Sequence, residues 1–321
     1  MKDTDFLYAA GRIRVLELSL LSKADTERLI SAKTYDEAAA MLKSKGYDIN
    51  DSNFAPALVE KKNAAWKNIL EFLPDISLLD SLIIKNDFHN LKACIKASVK
   101  GIDAKSMLIT PSVYSPDAIY NAINQRALTD LPECMKDVAI KAIDLLERAS
   151  NPQLSDAVCD KAAMEEMRRL VKKTKSDILI DIAETFAETA NIKTAYRCIN
   201  AKKDKEFMLY AICDCREFAA SKIVDSALSG TDDFMSFLES TKYSDLAPAL
   251  KADSTEFEKL CDDKLINAAA MGKYTMFGIA PIIGYYLAVN AELTTLRIIL
   301  SGKLNNTESN IISKRVRELY V

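Results

Sequence analysis

The sequence predicts an all-α chain in which one helical unit is used three times, and three observations carry that reading. Gly and Pro number eight each in 321 residues, about 2.5% apiece against a usual roughly 7% and 5%. With breakers that scarce, the abundant Ala, Leu, Lys and Glu favour helix. No stretch sustains the apolar–polar alternation of a strand. Finally, an acid, two residues, a small polar residue, an aliphatic and a base recur as Asp87-Phe-His-Asn90-Leu91-Lys92, Glu188-Thr-Ala-Asn191-Ile192-Lys193 and Glu292-Leu-Thr-Thr295-Leu296-Arg297, at intervals of 101 and 104 residues. Such near-even repetition marks one supersecondary unit.

Taken in order, the first element is a long helix from about Asp5 to Leu29, carrying Tyr8-Ala9-Ala10-Gly11-Arg12-Ile13-Arg14. A capped helix follows at Thr34-Tyr-Asp-Glu, with counterparts at Ser115-Pro-Asp-Ala and Thr231-Asp-Asp-Phe. In each, a hydroxyl and first-turn acids suit the orphan amides and the positive end of the helix dipole. Downstream of these starts, Leu42 and Tyr47 match Ile123 and Leu128, and Leu238 and Tyr243. Middle segments then run over about 55–73, 132–173 and 256–276, the second broken at Asn151-Pro152. Signature helices begin near Pro74-Asp75, Ser176-Asp177 and Pro281, and a helix-like segment around Phe207, Leu209, Ala211 and Phe218 precedes the third capped helix. Three and four residues beyond each signature aliphatic stand Cys94 and Ile95, Ala195 and Tyr196, and Ile299 and Leu300, one apolar stripe per copy. Gly46, Gly101, Gly230 and Gly302 each follow an apolar run, where a left-handed C-cap is expected. The copies divide the chain into lobes at about 1–107, 108–203 and 204–321.

Residues 274–291 carry no charge, a length at the lower limit for a membrane span. Pro281, Gly278 and Gly284 interrupt them, and Glu292 follows on the same helix. Pro281 is therefore read as the first turn of a buried helix running to about Ser301.

Composition excludes several classes. With 43 basic and 46 acidic residues and a formal charge of −3, the chain lacks the basic surface of a general nucleic-acid binder. Seven Cys, without a CxxC pair or a secretory leader, suit a reducing cytosol. Cys213-Asp-Cys215 offers two metal-ligand types but no second pair, and the plainer reading puts the thiols on alternate sides of a helix. No Gly-rich phosphate loop is present, so no nucleotide is bound directly by that device. No cofactor is expected. The one histidine, His89, lies about 160° around the helix from Leu91 and should face solvent. A basic run at Arg168, Arg169, Lys172, Lys173 and Lys175 follows Glu165 and Glu166, which can reach Arg169 at helical spacing. It reads as a solvated face or as a docking site for an acidic partner.

The signature acids Asp87, Glu188 and Glu292 lie about 40° from the aliphatic anchor, at the edge of the buried stripe, where a carboxylate needs a cation or several donors. Lys92, Lys193 and Arg297 are about 140° away and poorly placed to pair with the acid of their own helix. Pairing across helices is expected, with Arg12 and Arg14 as candidates for Glu292 or Asp87. Together with Asn90, Asn191 and Thr295, these residues read as repeated ties between helices. Three carboxylates converging on a functional centre is the other reading.

The N-terminal block from Tyr8 to Glu17, the block Pro281-Ile-Ile-Gly-Tyr285-Tyr286-Leu-Ala-Val-Asn-Ala-Glu292 continuing to Lys303, and the closing Arg315-Val-Arg317-Glu318-Leu-Tyr320-Val321 resemble the C subunit of the V/A-type (vacuolar/archaeal-type) rotary ATPases, which is similar to the d subunit of vacuolar ATPases. The resemblance spans the chain. It implies three lobes in a pseudo-threefold funnel without an active site. It further implies a cytoplasmic position, peripheral on the membrane, with the funnel seated on the rotor ring of proteolipid subunits and receiving the central-stalk subunits of the ATPase head. Asn290 and Ala291, where the family often carries charge, and Thr295, where the first two copies have Asn, depart from the pattern. Two alternatives stand beside it. A helical-repeat scaffold for an unrelated partner is disfavoured by an interval well above the usual 20–50 residues. A helical enzyme would need signature acids converging in one pocket.

Overall fold

A computed structural model describes residues 3–49, 53–73, 75–252 and 254–320. Pro74 and Val321, which the sequence places at the first signature helix and in the closing motif, lie outside them. Among the described residues the regular structure is helical throughout. By compactness the chain forms two units, one made of residues up to Ile76 together with those from Lys251, the other of Ser77–Leu250.

The chain opens with α1 (Leu7–Glu17), α2 (Lys23–Ser31), α3 (Tyr35–Lys43) and α4 (Ala55–Phe72). The single long helix expected over 5–29 is thus two. Residues 18–22 leave the helix because Ser22 caps α2 in a reciprocal box with Asp25, each side chain bonded to the other residue's amide. Thr34 caps α3 through the Glu37 amide as expected. Gly46 closes the following turn at a φ of 83°.

The second unit carries α5 (Asp80–Lys100), α6 (Pro116–Asn124), α7 (Glu133–Glu147), α8 (Pro152–Thr174), α9 (Asp177–Asn200), α10 (Lys205–Ala211), α11 (Ala220–Ser229) and α12 (Thr231–Glu239), and the chain leaves it within the short α13 (Ala249–Ala252). Gly101 terminates α5 in the left-handed conformation, and Ser115 and Asn151 cap α6 and α8. Thr231, expected as a cap, is instead the first helical residue. Gly230, at a φ of 116°, joins α11 to α12. α8 is the spine of the unit, packing on α5, α7, α9 and α10. Its face buries Val158, Cys159, Met164 and Met167.

The first unit is completed by α14 (Ser254–Tyr274), α15 (Ala280–Leu304) and α16 (Ser309–Arg315). Pro281 stands in the first turn of α15. This helix is apolar nearly all round because α1, α3, α4, α14 and α16 pack against it. No helix among the described residues is long and apolar enough to cross a membrane. Gly302, expected as a stop, lies inside α15, and its missing Cβ leaves room for Ile312 of α16. Lys303, buried at the end of α15, donates to the Ile30 and Ala32 carbonyls at the end of α2 and to Ser309 Oγ. Near the C-terminus, Arg317 Nε bonds Asp262 at 2.9 Å and the Glu318 amide bonds Asp263 at 2.8 Å, holding the closing segment on α14.

Candidate functional site

The three signature helices are α5, α9 and α15, and each turns its acid onto a nonhelical segment that precedes a helix. Asp87 accepts from the amides of Val113 at 2.9 Å and Tyr114 at 2.8 Å, just before α6. Glu188 accepts from the Glu217 amide at 3.1 Å, just before α11, and from Tyr243 Oη at 2.6 Å. Glu292 accepts from the Leu21 amide at 2.5 Å, just before α2, and from Tyr47 Oη. All three carboxylates are buried, Asp87 and Glu188 to zero exposure.

A carboxylate in such a place must be surrounded by donors or take up a proton. The chain solves this in two ways. Where the acid is Glu, the matched downstream position is Tyr47 or Tyr243, and a phenol completes the shell. Where it is the shorter Asp87, a second backbone amide stands in place of the phenol. Burial still pushes the Asp87 carboxyl up to about 6, against the opposing effect of the two amides, and it raises Glu292 as well. Burial and the neighbouring acids hold the Tyr47 and Tyr243 hydroxyls far above their ordinary range, fixing them as donors.

The signature amides continue the pattern one turn on. Asn90 pairs both ways with Ile109, accepting from its amide at 2.8 Å and donating to its carbonyl at 3.0 Å. Asn191 does the same with Cys213, at 3.2 Å and 2.6 Å. Ile109 and Cys213 each lie four residues before the amide that binds the acid, so one helix holds an extended segment at two points. In the third copy the corresponding residue is Glu17, the last of α1, whose amide is already inside a helix. An Asn would find nothing to pair with there. Thr295 stands in its place, fully buried and with its hydroxyl unpartnered.

The cations fall differently from expectation. Arg14 bonds Glu17 at 2.7 Å and the Gly272 and Thr275 carbonyls at 2.8 Å, and Arg12 lies over the Phe72 ring. Neither takes up a signature acid, because backbone amides reach those buried oxygens at lower desolvation cost than a guanidinium. Glu188 adds a cation to its shell, Lys242 at 2.7 Å. Lys92 bonds Asp160 of α8 at 2.5 Å. Lys193 and Arg297 line two separate clefts.

Of the other residues singled out, His89 is exposed, as its helical position requires. Cys213 and Cys215 are not helical. They belong to the extended segment that Asn191 and Glu188 hold, which is why the Cys213 backbone is available for pairing. Among the described residues no group of three His, Cys, Asp or Glu side chains is placed to hold a metal. In the basic run, Arg169 forms a fork with Glu166 at 2.5 and 2.6 Å, and Arg168 bonds Glu184 at 2.9 Å. Lys172, Lys173 and Lys175 remain on the surface.

The recipient segments around Leu21, Val113 and Glu217 escape sequence reasoning, since nonhelical backbone has no periodic signature. The Ser22-x-x-Asp25 capping box is the available signal for the first. By their bonding, the matched helix starts are α2, α6 and α11, whereas the sequence pattern sets α6 against α3 and α12.

Comparison with known proteins adds to this geometry. The profile of the family described as ATP synthase (C/AC39) subunit matches residues 9–315. The chain is 25% identical to the C subunit of a V-type sodium ATPase of Enterococcus hirae, over 96% of this chain and 97% of that one. It is 23% identical to the C subunit of an A-type ATP synthase of Methanocaldococcus jannaschii, over 94% of this chain and 83% of the other.

Proposed function

The chain belongs to the ATP synthase (C/AC39) subunit family, and from that premise we propose that it is a non-catalytic central-rotor subunit of a V/A-type ATPase or ATP synthase. In this reading it joins the central stalk to the membrane ring of proteolipid subunits, on the cytoplasmic face, and carries torque between them during ion transport. The observation that carries the proposal is the nearly end-to-end correspondence with the C subunit of a V-type sodium ATPase.

The chemistry of the buried acids agrees with a mechanical role. Their oxygens are occupied by fixed backbone amides and phenols, the arrangement that locks one helix to the next segment. A load-transmitting body needs such locks, because close-packed helices resist deformation only while their register is held. In this reading the signature residues Asp87, Asn90, Glu188, Asn191 and Glu292 are inter-helix ties, each joining one of three proposed lobes, 1–107, 108–203 and 204–321, to another. Surface for partners is available in the first unit. Tyr8 and Val15 of α1, and Leu18 just after it, are exposed at 68%, 63% and 85%, and Tyr274 and Met276 are similarly open. Apolar groups exposed to that degree in clusters suit protein contact.

Complexes assembled without this chain provide the test. ATP hydrolysis by the head should persist while ATP-driven ion transport disappears, and the chain should co-purify with stalk and ring subunits from gently solubilised membranes. Unchanged ion transport in its absence would overturn the proposal.

A further inference from the structure

The third signature base lacks the ion pair that the first one makes. Lys92 bonds Asp160, whereas Arg297, in the matching place on α15, is exposed and meets no carboxylate among the described residues. It lines a cleft of about 280 Å³ between α15 and α16, together with Ser301 one turn further on, Asn305 and Thr307 in the connection, and Arg315 at the end of α16. Arg315 is likewise exposed and has no acidic partner among the described residues. Ile298 and the buried Ile312 supply the apolar lining, and among the described residues no acid contributes to the wall. Lys62 of α4 adds a further positive charge beside Arg297. It is half-buried, and burial together with the Arg297 charge pushes its ammonium below the ordinary lysine range. With no acid offsetting these cations, a positive field is left around Arg297.

Two carbonyls at the helix end that would repel an anion are already occupied. The Ser301 carbonyl accepts from the Asn305 amide at 3.1 Å and from its side-chain amide at 2.9 Å, and the Gly302 carbonyl accepts from the Thr307 amide at 2.8 Å. What the cleft offers a ligand is therefore donors. They are two guanidinium groups and the hydroxyls of Ser301 and Thr307, which bond nothing else among the described residues. Guanidinium forks match the oxygens of phosphate and of carboxylate alike. Here the donors come from two helices and the connection between them, which suits tetrahedrally disposed oxygens better than planar ones. A phosphate monoester also carries about two negative charges at neutral pH, enough to balance both guanidinium groups. The cleft is smaller than the roughly 300–1,000 Å³ of sites that enclose a whole small molecule, so it admits the phosphate and leaves the rest of its carrier outside. We propose that this cleft binds a terminal phosphate group, held by Arg297 and Arg315 with Ser301 and Thr307 as hydroxyl donors.

Isothermal titration of the full chain with inorganic phosphate, and co-sedimentation with phosphatidylcholine vesicles containing phosphatidic acid, test this and separate a soluble source of the group from a lipid headgroup. Saturable one-to-one binding of phosphate assigns the first, and sedimentation that added phosphate competes away assigns the second. In whichever arm binds, Arg297→Gln and Arg315→Gln should each weaken binding about tenfold. Neither arginine has an acidic partner to leave behind, so both variants should keep the fold. Thr307→Val, expected to weaken binding about threefold, gives an independent check from the connection. Lys172→Gln with Lys173→Gln, which removes surface charge from the second unit, should bind as the unaltered chain does. Absence of binding in both arms, equal loss in the Lys172 and Lys173 control, or succinate bound as tightly as phosphate would overturn the proposal, the last by assigning the cleft to carboxylates.

Discussion

Tyr47 donates its phenolic proton to Glu292 across 245 residues of sequence, joining the segment after α3 to the centre of α15. The Glu188 carboxylate receives the same bond from Tyr243, but there Lys242 adds a cation. Tyr47→Phe keeps the ring and the Lys61 ammonium 5.0 Å from its centre, so it isolates the hydroxyl. Loss of a hydrogen bond to a buried charge should cost about 1.5–3 kcal/mol. Tyr243→Phe should cost less, since Lys242 still faces Glu188. Urea denaturation of the two variants reads the difference directly, and equal losses would argue against a compensating role for Lys242.

Asp87 makes stability depend on pH in the direction opposite to a salt-bridged acid. Burial raises its carboxyl to about 6 in the folded chain, against an ordinary value of 3.8. The folded state therefore binds the proton first, and stability is gained as pH falls from the higher value towards the lower. Between pH of about 7 and about 4.5, the stability of the unaltered chain relative to Asp87→Asn should rise by roughly 2 kcal/mol. Taking the difference cancels the other titrating groups. A gap that does not move with pH would show that the two amides cancel the effect of burial, and one that shrinks as pH falls would show that they outweigh it.

The departure of Thr295 from the Asn of the other copies predicts effects of opposite sign. Its hydroxyl is buried and unpartnered, so Thr295→Val, of nearly the same shape and helix preference, should stabilise by about 1 kcal/mol. Asn191→Ala strands the Cys213 amide and carbonyl in a buried segment and should destabilise by about 2–3 kcal/mol. Thermal melts of both variants suffice. Destabilisation by Thr295→Val would mean that its hydroxyl has a partner after all.

These contrasts also show how much of the architecture the sequence carries. Starts marked by side-chain oxygens, at Thr34, Ser115 and Asn151, are legible because capping is local chemistry. The recurrence of acid and amide is legible for the same reason, and so is the match of Tyr47 with Tyr243. Which groups those side chains meet is not. Arg12 and Arg14 look suitable by charge, but the acids take backbone amides, and an amide has no identity in a sequence. The breaks at Leu18 to Ser22 and at Cys213 to Glu217 read as helix because their apolar residues keep helical spacing. Tertiary pairing with α15 and α9 overrides that local preference.

Two glycines of the first unit test close approaches to α15, Gly272 that of α14 and Gly284 that of the closing segment. A Cβ on Gly272 would run into the backbone carbonyl of Ala280, whereas one on Gly284 would meet Tyr320 Oη at 2.5 Å. Alanine at either position gains helix preference, about 1 kcal/mol, but overpacking costs about 1–3 kcal/mol. The sign depends on whether the neighbour can move. The Ala280 carbonyl belongs to the start of α15, so Gly272→Ala should be destabilising and no side-chain change should rescue it. The hydroxyl of Tyr320 can withdraw or be removed, so Tyr320→Phe should recover part of the loss in Gly284→Ala. In a double-mutant cycle that recovery appears as a coupling energy between positions 284 and 320. Additive losses there would show that Tyr320 does not crowd Gly284, and a Gly272→Ala variant as stable as the unaltered chain would show that α14 does not approach the start of α15 at Gly272.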